Sequence, residues 1–155
     1  MSLVKFIVIF LLIVVLGVLQ NTNLLMFAGI KPNLLLAIII GLAFFIEDAW
    51  LYGFFAILSA VFLSVGGFFT PEILVFILLA VIAFWAAARW HTQPFLNYLI
   101  LIGALTFIFY LLTSPFYIIS NPVGLFIELA YNAVLGALLY KTLELCLETN
   151  SMLKT

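Results

Sequence analysis

Charge is what this sequence has least of. Of its 155 residues, five are Lys or Arg and six are Asp or Glu, 7% in all. Hydrophobic residues make up 68%, and the mean hydropathy is +1.44. A water-soluble domain carries about 25% charged residues, and a chain this short must leave much of its surface facing the solvent. A soluble enzyme, a nucleic-acid binder and a disordered linker are therefore excluded. The net charge of −1 argues against a polybasic lipid-binding surface. A single cysteine, Cys146, rules out an internal disulfide and a thiolate metal cluster. A single histidine, His91, falls short of the three or four ligands of a zinc site. Asp48 is the lone aspartate, whereas intramembrane aspartyl proteases, lipoprotein signal peptidases and headgroup transferases need two or more. His91 and Asp48 have no serine on a nucleophile elbow to serve. No catalytic residue, metal or cofactor is expected.

What the sequence does have is long apolar runs broken at regular points. It reads as an all-α integral membrane protein, one polytopic domain over 1–155. At about 20 residues per span, six or seven spans fill it. The first covers 3–19 and ends at Gln20-Asn21-Thr22-Asn23. Lys5 ahead of an apolar run also suits a signal peptide, but no small-x-small cleavage site follows Leu19. The run from 33 to 69 is split by Glu47-Asp48, since a charge at mid-bilayer costs about 2.5–3.5 kcal/mol or more. A hairpin with spans 33–46 and 49–69 and a wet turn is expected. Thr70-Pro71-Glu72 starts a fourth span, 72–88, with a cap, a first-turn proline and a carboxylate at the positive helix end. A fifth covers 95–112 after Gln93-Pro94, and a sixth covers 122–140 after Asn121-Pro122. All five prolines fall at boundaries, as their missing amide donor demands. Lys5, Arg89, Lys141 and Lys154 lie on one side of this map and Lys31 on the other. The bias of basic residues to the cytoplasm then gives N-in, C-in. Trp50, Trp90, Tyr110, Tyr117 and Tyr140 fall near span ends, as interfacial aromatics do.

Glu128 carries the most information. It lies about six residues into the last span, roughly 9 Å along the helix at 1.5 Å per residue. An ionisable group at that depth faces the bundle or a cavity. Gly124, Glu128, Asn132 and Gly136 recur every four residues on one stripe, where small residues permit close approach and polar ones bond across helices. The stripe is either a packing face, with Glu128 protonated, or a surface for a partner or ligand. Ala56, Ala60 and Ser64, with Gly53, form a second small-residue stripe, and Ala83 and Ala87 a weaker third. Glu47 and Asp48 read either as a solvated turn or as a contact for a cation or a partner's basic residue, and Arg89 and His91, at the end of a span, are their natural ion-pair partners. Over 141–155 a cytoplasmic helical tail is expected, with Lys141, Glu144 and Glu148 on one face and Leu143 and Leu147 on another. It serves either as a solvated helix end on the headgroups or as a docking helix.

Gly29-Ile30-Lys31-Pro32-Asn33-Leu34-Leu35-Leu36 resembles the basic-Pro-Asp/Asn-Leu-Leu-Leu start of the second helix in the bacterial rod shape-determining protein MreD family. Gly53-Phe54-Phe55 is similar to that family's next helix start, and Asn132-Ala133-Val134-Leu135 with Leu138-Leu139-Tyr140 to its closing helix. Chain length and layout match throughout, and the motifs cover about a fifth of the chain. Two features depart: Ser64-Val65-Gly66-Gly67 stands where the family has a Gly-Leu-x-x-Asp-like end, and the last helix lacks the usual proline. The resemblance implies a non-enzymatic, multi-pass scaffold of the bacterial inner membrane. Its partners would be the bilayer, a bitopic MreC-like protein, actin-like MreB, and wall synthesis by RodA and a transpeptidase. Lys31, Pro32 and Asn33 become candidate partner-binding or packing residues on this ground. The alternative is a substrate-binding membrane component of an energy-coupling-factor-type transporter, with Glu128 and Asn132 lining its pocket. Those two polar residues stand nearly alone in the sequence, which favours the scaffold.

Overall fold

Each helix begins where a side chain or a proline takes care of amides that would otherwise lack partners. The Ser2 hydroxyl accepts from Lys5 N and opens α1 (Leu3–Asn21). Asn33 Oδ1 accepts from Leu36 N and opens α2 (Leu34–Leu42). Asp48 Oδ1 accepts from Trp50 N at 2.9 Å and Leu51 N at 3.1 Å, opening α3 (Ala49–Leu63). Prolines lead α4 (Pro71–Ala87), α5 (Pro94–Thr113), α6 (Pro115–Ser120) and α7 (Pro122–Glu148), where their fixed φ suits a first turn and no donor is lost. Asn121 Oδ1 also caps α7 through Gly124 N, at 3.0 Å. The structure, a computed structural model, describes residues 1–22, 24–26, 29–63, 70–90 and 92–148, without the Glu148 side chain. Of the described residues 82% are helical, and none is in a strand.

The bundle is wound around α2. Each of its nine residues is buried, and α1, α3, α4, α5 and α7 all pack against it. Leaving α6 aside, successive helices alternate in direction. One end of the bundle gathers Lys5, Glu47, Asp48, Leu51 and Leu147 around a shared pocket. The opposite end gathers Gln20, Asn33, Leu63, Thr70, Tyr110 and Glu128. Lys5 Nζ donates to the Leu147 carbonyl, so the first and last helices close on each other. The outside is apolar: along α1, Leu3, Val4, Ile7, Leu11, Val15 and Val18 are exposed. Three helices, Leu3–Asn21, Pro94–Thr113 and Pro122–Leu147, are long and apolar enough to cross a membrane. That length, together with an apolar exterior, makes this a helical membrane protein in character.

The structure sets the bounds of several expected spans more closely. The expected span 33–46 contains a helix only over 34–42, about 14 Å long at 1.5 Å per residue. Its residues are apolar because five helices cover them, not because they face lipid. The expected span 49–69 is helical over Ala49–Leu63, and 64–69 lie outside the described residues. A short helix, α6, fills what reads as a loop between Ser114-Pro115 and Asn121-Pro122. As expected, the last helix continues beyond residue 140, with α7 running unbroken from Pro122 to Glu148. Its expected solvated tail is partly core, since Leu143 is only 1% exposed and packs on Gly41 of α2. Residues 149–155 lie outside the described residues.

Candidate functional site

The N-terminal end of α2 is the polar centre of the molecule. Gly29 turns the chain there with φ +82°, a conformation that costs glycine little. Asn33 then does three things at once. Its backbone N–H donates to Asn132 Oδ1 of α7 at 2.8 Å. Its side-chain oxygen accepts from Leu36 N at 3.1 Å and from Gln20 Nε2 of α1 at 3.3 Å. Gln20 Oε1 in turn accepts from Leu35 N at 2.9 Å, and Asn132 Nδ2 donates to Thr106 Oγ1 of α5 at 3.4 Å. Among the first amides of α2, which have no partner inside their own helix, Leu35 N is thus satisfied from α1 and Leu36 N by the Asn33 cap, while α7 takes the N–H of the cap residue itself. Asn33, Thr106 and Asn132 are buried, so little water competes for these bonds.

Beside this junction opens a cavity of about 450 Å³. Polar residues from five elements converge on it: Gln20, Lys31, Asn33, Glu72, Tyr110 and Glu128. Leu63 and Phe109 supply apolar wall. Glu128 is only 3% exposed, and the Tyr110 hydroxyl donates to its Oε1. Tyr117 on α6 stacks near Tyr110, with ring centres 5.4 Å apart. Partial burial and the nearby Glu128 carboxylate push its phenol above the usual tyrosine range. Glu72 sits in the first turn of α4, where the helix dipole favours a carboxylate.

The stripe read from the sequence faces inward. Gly124, Glu128, Asn132 and Gly136 are all buried, and Glu128 and Asn132 hold polar partners on α5 and ahead of α2. At Gly136 a methyl group would lie 2.6 Å from both Tyr98 Oη and Ile102 Cδ1, so glycine is what lets α5 and α7 touch. Of the motif residues, Pro32 and Asn33 are buried and Lys31 is exposed. On the other small-residue stripes, Ala56, Ala60, Ala83 and Ala87 are buried, whereas Gly53 has open space beside it. Ser64 and His91 lie outside the described residues.

Some expectations fail. Arg89 does not pair with Glu47 or Asp48: its guanidinium lies 3.5 Å over the Trp85 ring and donates to the Trp85 carbonyl. Both groups are exposed, and at such a site a cation over a ring is worth about as much as an exposed ion pair. Lys141 and Glu144 form the ion pair seen among the described residues, at 2.5 Å. Tyr140, placed by sequence at an interface, is 2% exposed and packs against Phe45, Phe95 and Tyr98. Glu128 and Asn132 do not stand nearly alone, because Gln20, Asn33, Thr106 and Tyr110 join them. For Tyr110 a signal existed: its place at the end of α5 sets it across the connection from the start of α7. For Gln20 there was none, because its partners depend on how α1 meets α2.

Comparison with protein-family models, with curated proteins and with solved structures gives no match.

Proposed function

We propose that this chain is a non-enzymatic membrane scaffold of the MreD type, working in the bacterial cytoplasmic membrane with the cell-elongation machinery. One observation carries the reading. Two of the segments similar to that family, Gly29–Leu36 and the one that starts at Asn132, are far apart in sequence but bonded directly through Asn33 N–H and Asn132 Oδ1. In this reading the chain makes six traverses, N-in and C-in. The alternating helix directions support that count. So does the burial of nearly all of 30–46, because irregular backbone at membrane depth is tolerated where protein covers it. Lys5 and Lys141 lie towards the end of the bundle assigned to the cytoplasm, and Lys31 towards the other, in line with the positive-inside rule.

A scaffold needs surfaces rather than chemistry. Between α3 and α4 lies an apolar groove of about 290 Å³, lined by Ala49, Gly53, Ala56, Ala80, Val81 and Phe84. Its small residues are of the kind that let a partner's membrane helix approach closely. The partners expected are a bitopic MreC-like protein and, through it, the actin-like filament and wall-synthesis enzymes. The test is purification in mild detergent from the native membrane, followed by mass spectrometry. Recovery of a bitopic coiled-coil protein with wall-synthesis enzymes supports the scaffold. Recovery of a paired ATPase would overturn it.

The cavity beside Glu128 favours a second reading, the substrate-binding component of an energy-coupling-factor-type transporter. Its volume lies within the range of small-ligand pockets, about 300–1,000 Å³, and polar side chains from several helices line it. A bound vitamin that is lost on Glu128→Gln would establish this reading over the first.

A further inference from the structure

Three charged side chains line the cavity at the start of α2: Lys31, Glu72 and Glu128. None is ion-paired among the described residues, where the ion pair is Lys141–Glu144. Glu128 is the deepest, at 3% exposed, with one hydrogen bond, from Tyr110. A buried carboxylate in an apolar bundle calls for a cation or a proton. The carboxylates of Glu72 and Glu128 share the cavity with the phenol of Tyr110 and the side-chain amides of Gln20 and Asn33, a set of acceptors that suits an organic cation. An ammonium group fits it, because its N–H donors reach carboxylates, phenol and amide oxygens alike.

Lys31 adds the opposite charge on the same cavity. Side chains of both signs around one space recognise a zwitterion, a group with an ammonium and an anion a few bonds apart. The volume, about 450 Å³, holds such a group but not long acyl chains, and Leu63 and Phe109 give those chains an apolar wall to leave along. The cavity lies where α1, α3 and α5 end and α2, α4 and α7 begin, the level at which a helix bundle meets lipid headgroups. We propose that this cavity binds a phosphoethanolamine group, its ammonium held by Glu128 and Glu72 and its phosphate by Lys31. The inference does not depend on the scaffold reading, and failure of either leaves the other standing.

The test uses the full chain purified in detergent and four probes: dihexanoyl phosphatidylethanolamine, phosphatidylcholine and phosphatidylglycerol, and soluble O-phosphoethanolamine. Occupancy is read by native mass spectrometry, and affinity by the ligand-induced rise in Tm. Phosphatidylethanolamine is expected to bind at least about tenfold tighter than phosphatidylcholine, whose methylated nitrogen has no N–H to give the carboxylates. Phosphatidylglycerol, with no cation, is expected to bind weaker still. Glu72→Gln and Lys31→Gln, both at accessible positions, should each weaken phosphatidylethanolamine by about fivefold or more, and Glu128→Gln further. Equal binding of O-phosphoethanolamine would assign the site to a soluble compound, and its failure to bind would assign the site to a lipid; both keep the zwitterion chemistry. Equal affinity for the three lipids overturns the proposal. So does unchanged affinity in Glu72→Gln and Lys31→Gln, whether or not Glu128→Gln folds.

Discussion

The two ends of α2 are held by different forces. At its start, Asn33, Gln20 and Asn132 fix it through hydrogen bonds of 2.8 to 3.3 Å, each with one donor and one acceptor in place. At its finish, Phe44 and Phe45 lie against Tyr140, and Tyr140 against Tyr98 and Phe95, with ring centres 5.0 to 6.3 Å apart. Hydrogen bonds are directional, and a shift of one residue breaks them. Ring contacts tolerate sliding and tilting. The polar end therefore sets the register of α2 against α1 and α7, and the aromatic end supplies area without choosing a register. The cavity and every polar residue around it lie at the end where position is fixed, and this is what a binding site requires.

Substitutions can break this contrast. The largest effect is expected for Gly136→Ala, between the two ends. Its methyl group would strike Ile102, and also Tyr98 (whose hydroxyl is held by the Ala37 carbonyl), so those buried side chains must shift or α5 and α7 must move apart. Overpacking of this kind costs about 1–3 kcal/mol, measurable as a lower Tm in detergent. Next comes Asn132→Ala, which leaves the buried Asn33 N–H without its acceptor, a loss of about 1–3 kcal/mol. Reversible unfolding in mixed micelles would measure it. Tyr98→Phe deletes only the hydroxyl bond to Ala37, 3.2 Å long, and keeps the ring cluster. It should cost about 0.5–1.5 kcal/mol. Smallest is Lys141→Ala. It removes the exposed pair with Glu144 and should change stability by less than about 1 kcal/mol, with the difference fading in high salt.

Much of the helical layout was legible because proline and capping residues act locally. Pro71, Pro94 and Pro122 begin helices in the structure as they do on paper, and α1 and α5 differ from expectation by two residues or fewer at each end. The stripe Gly124-Glu128-Asn132-Gly136 was legible for a similar reason: one helix keeps its periodicity wherever it packs. What was hidden depended on neighbours. Leu34–Leu42 looks like half a membrane span because hydropathy does not distinguish a residue facing lipid from one facing Leu and Phe. Tyr140 looks like an interfacial aromatic for the same reason, and Leu143 like part of a wet tail. Gln20 looked like the polar end of a span, although it caps a different helix. Arg89 and Glu47 have complementary charge, but the Trp85 ring is nearer to hand. The candidate site was half visible: Glu128 and Asn132 by residue type and spacing, Asn33 through the resemblance, and Gln20, Tyr110 and Glu72 only once the helices are in place.

The account turns on the claim that Asn132 locks the start of α2 while the aromatic end holds independently. Hydrogen–deuterium exchange on the wild-type chain and on Asn132→Ala, in the same detergent, tests it most directly. The expected result is an Asn33 amide that exchanges slowly in the wild type and much faster in the variant, as do Leu35 and Leu36, while amides near Leu42 and Tyr140 keep their protection. Equal protection of Asn33 in both proteins, or loss spread evenly along α2, would contradict it.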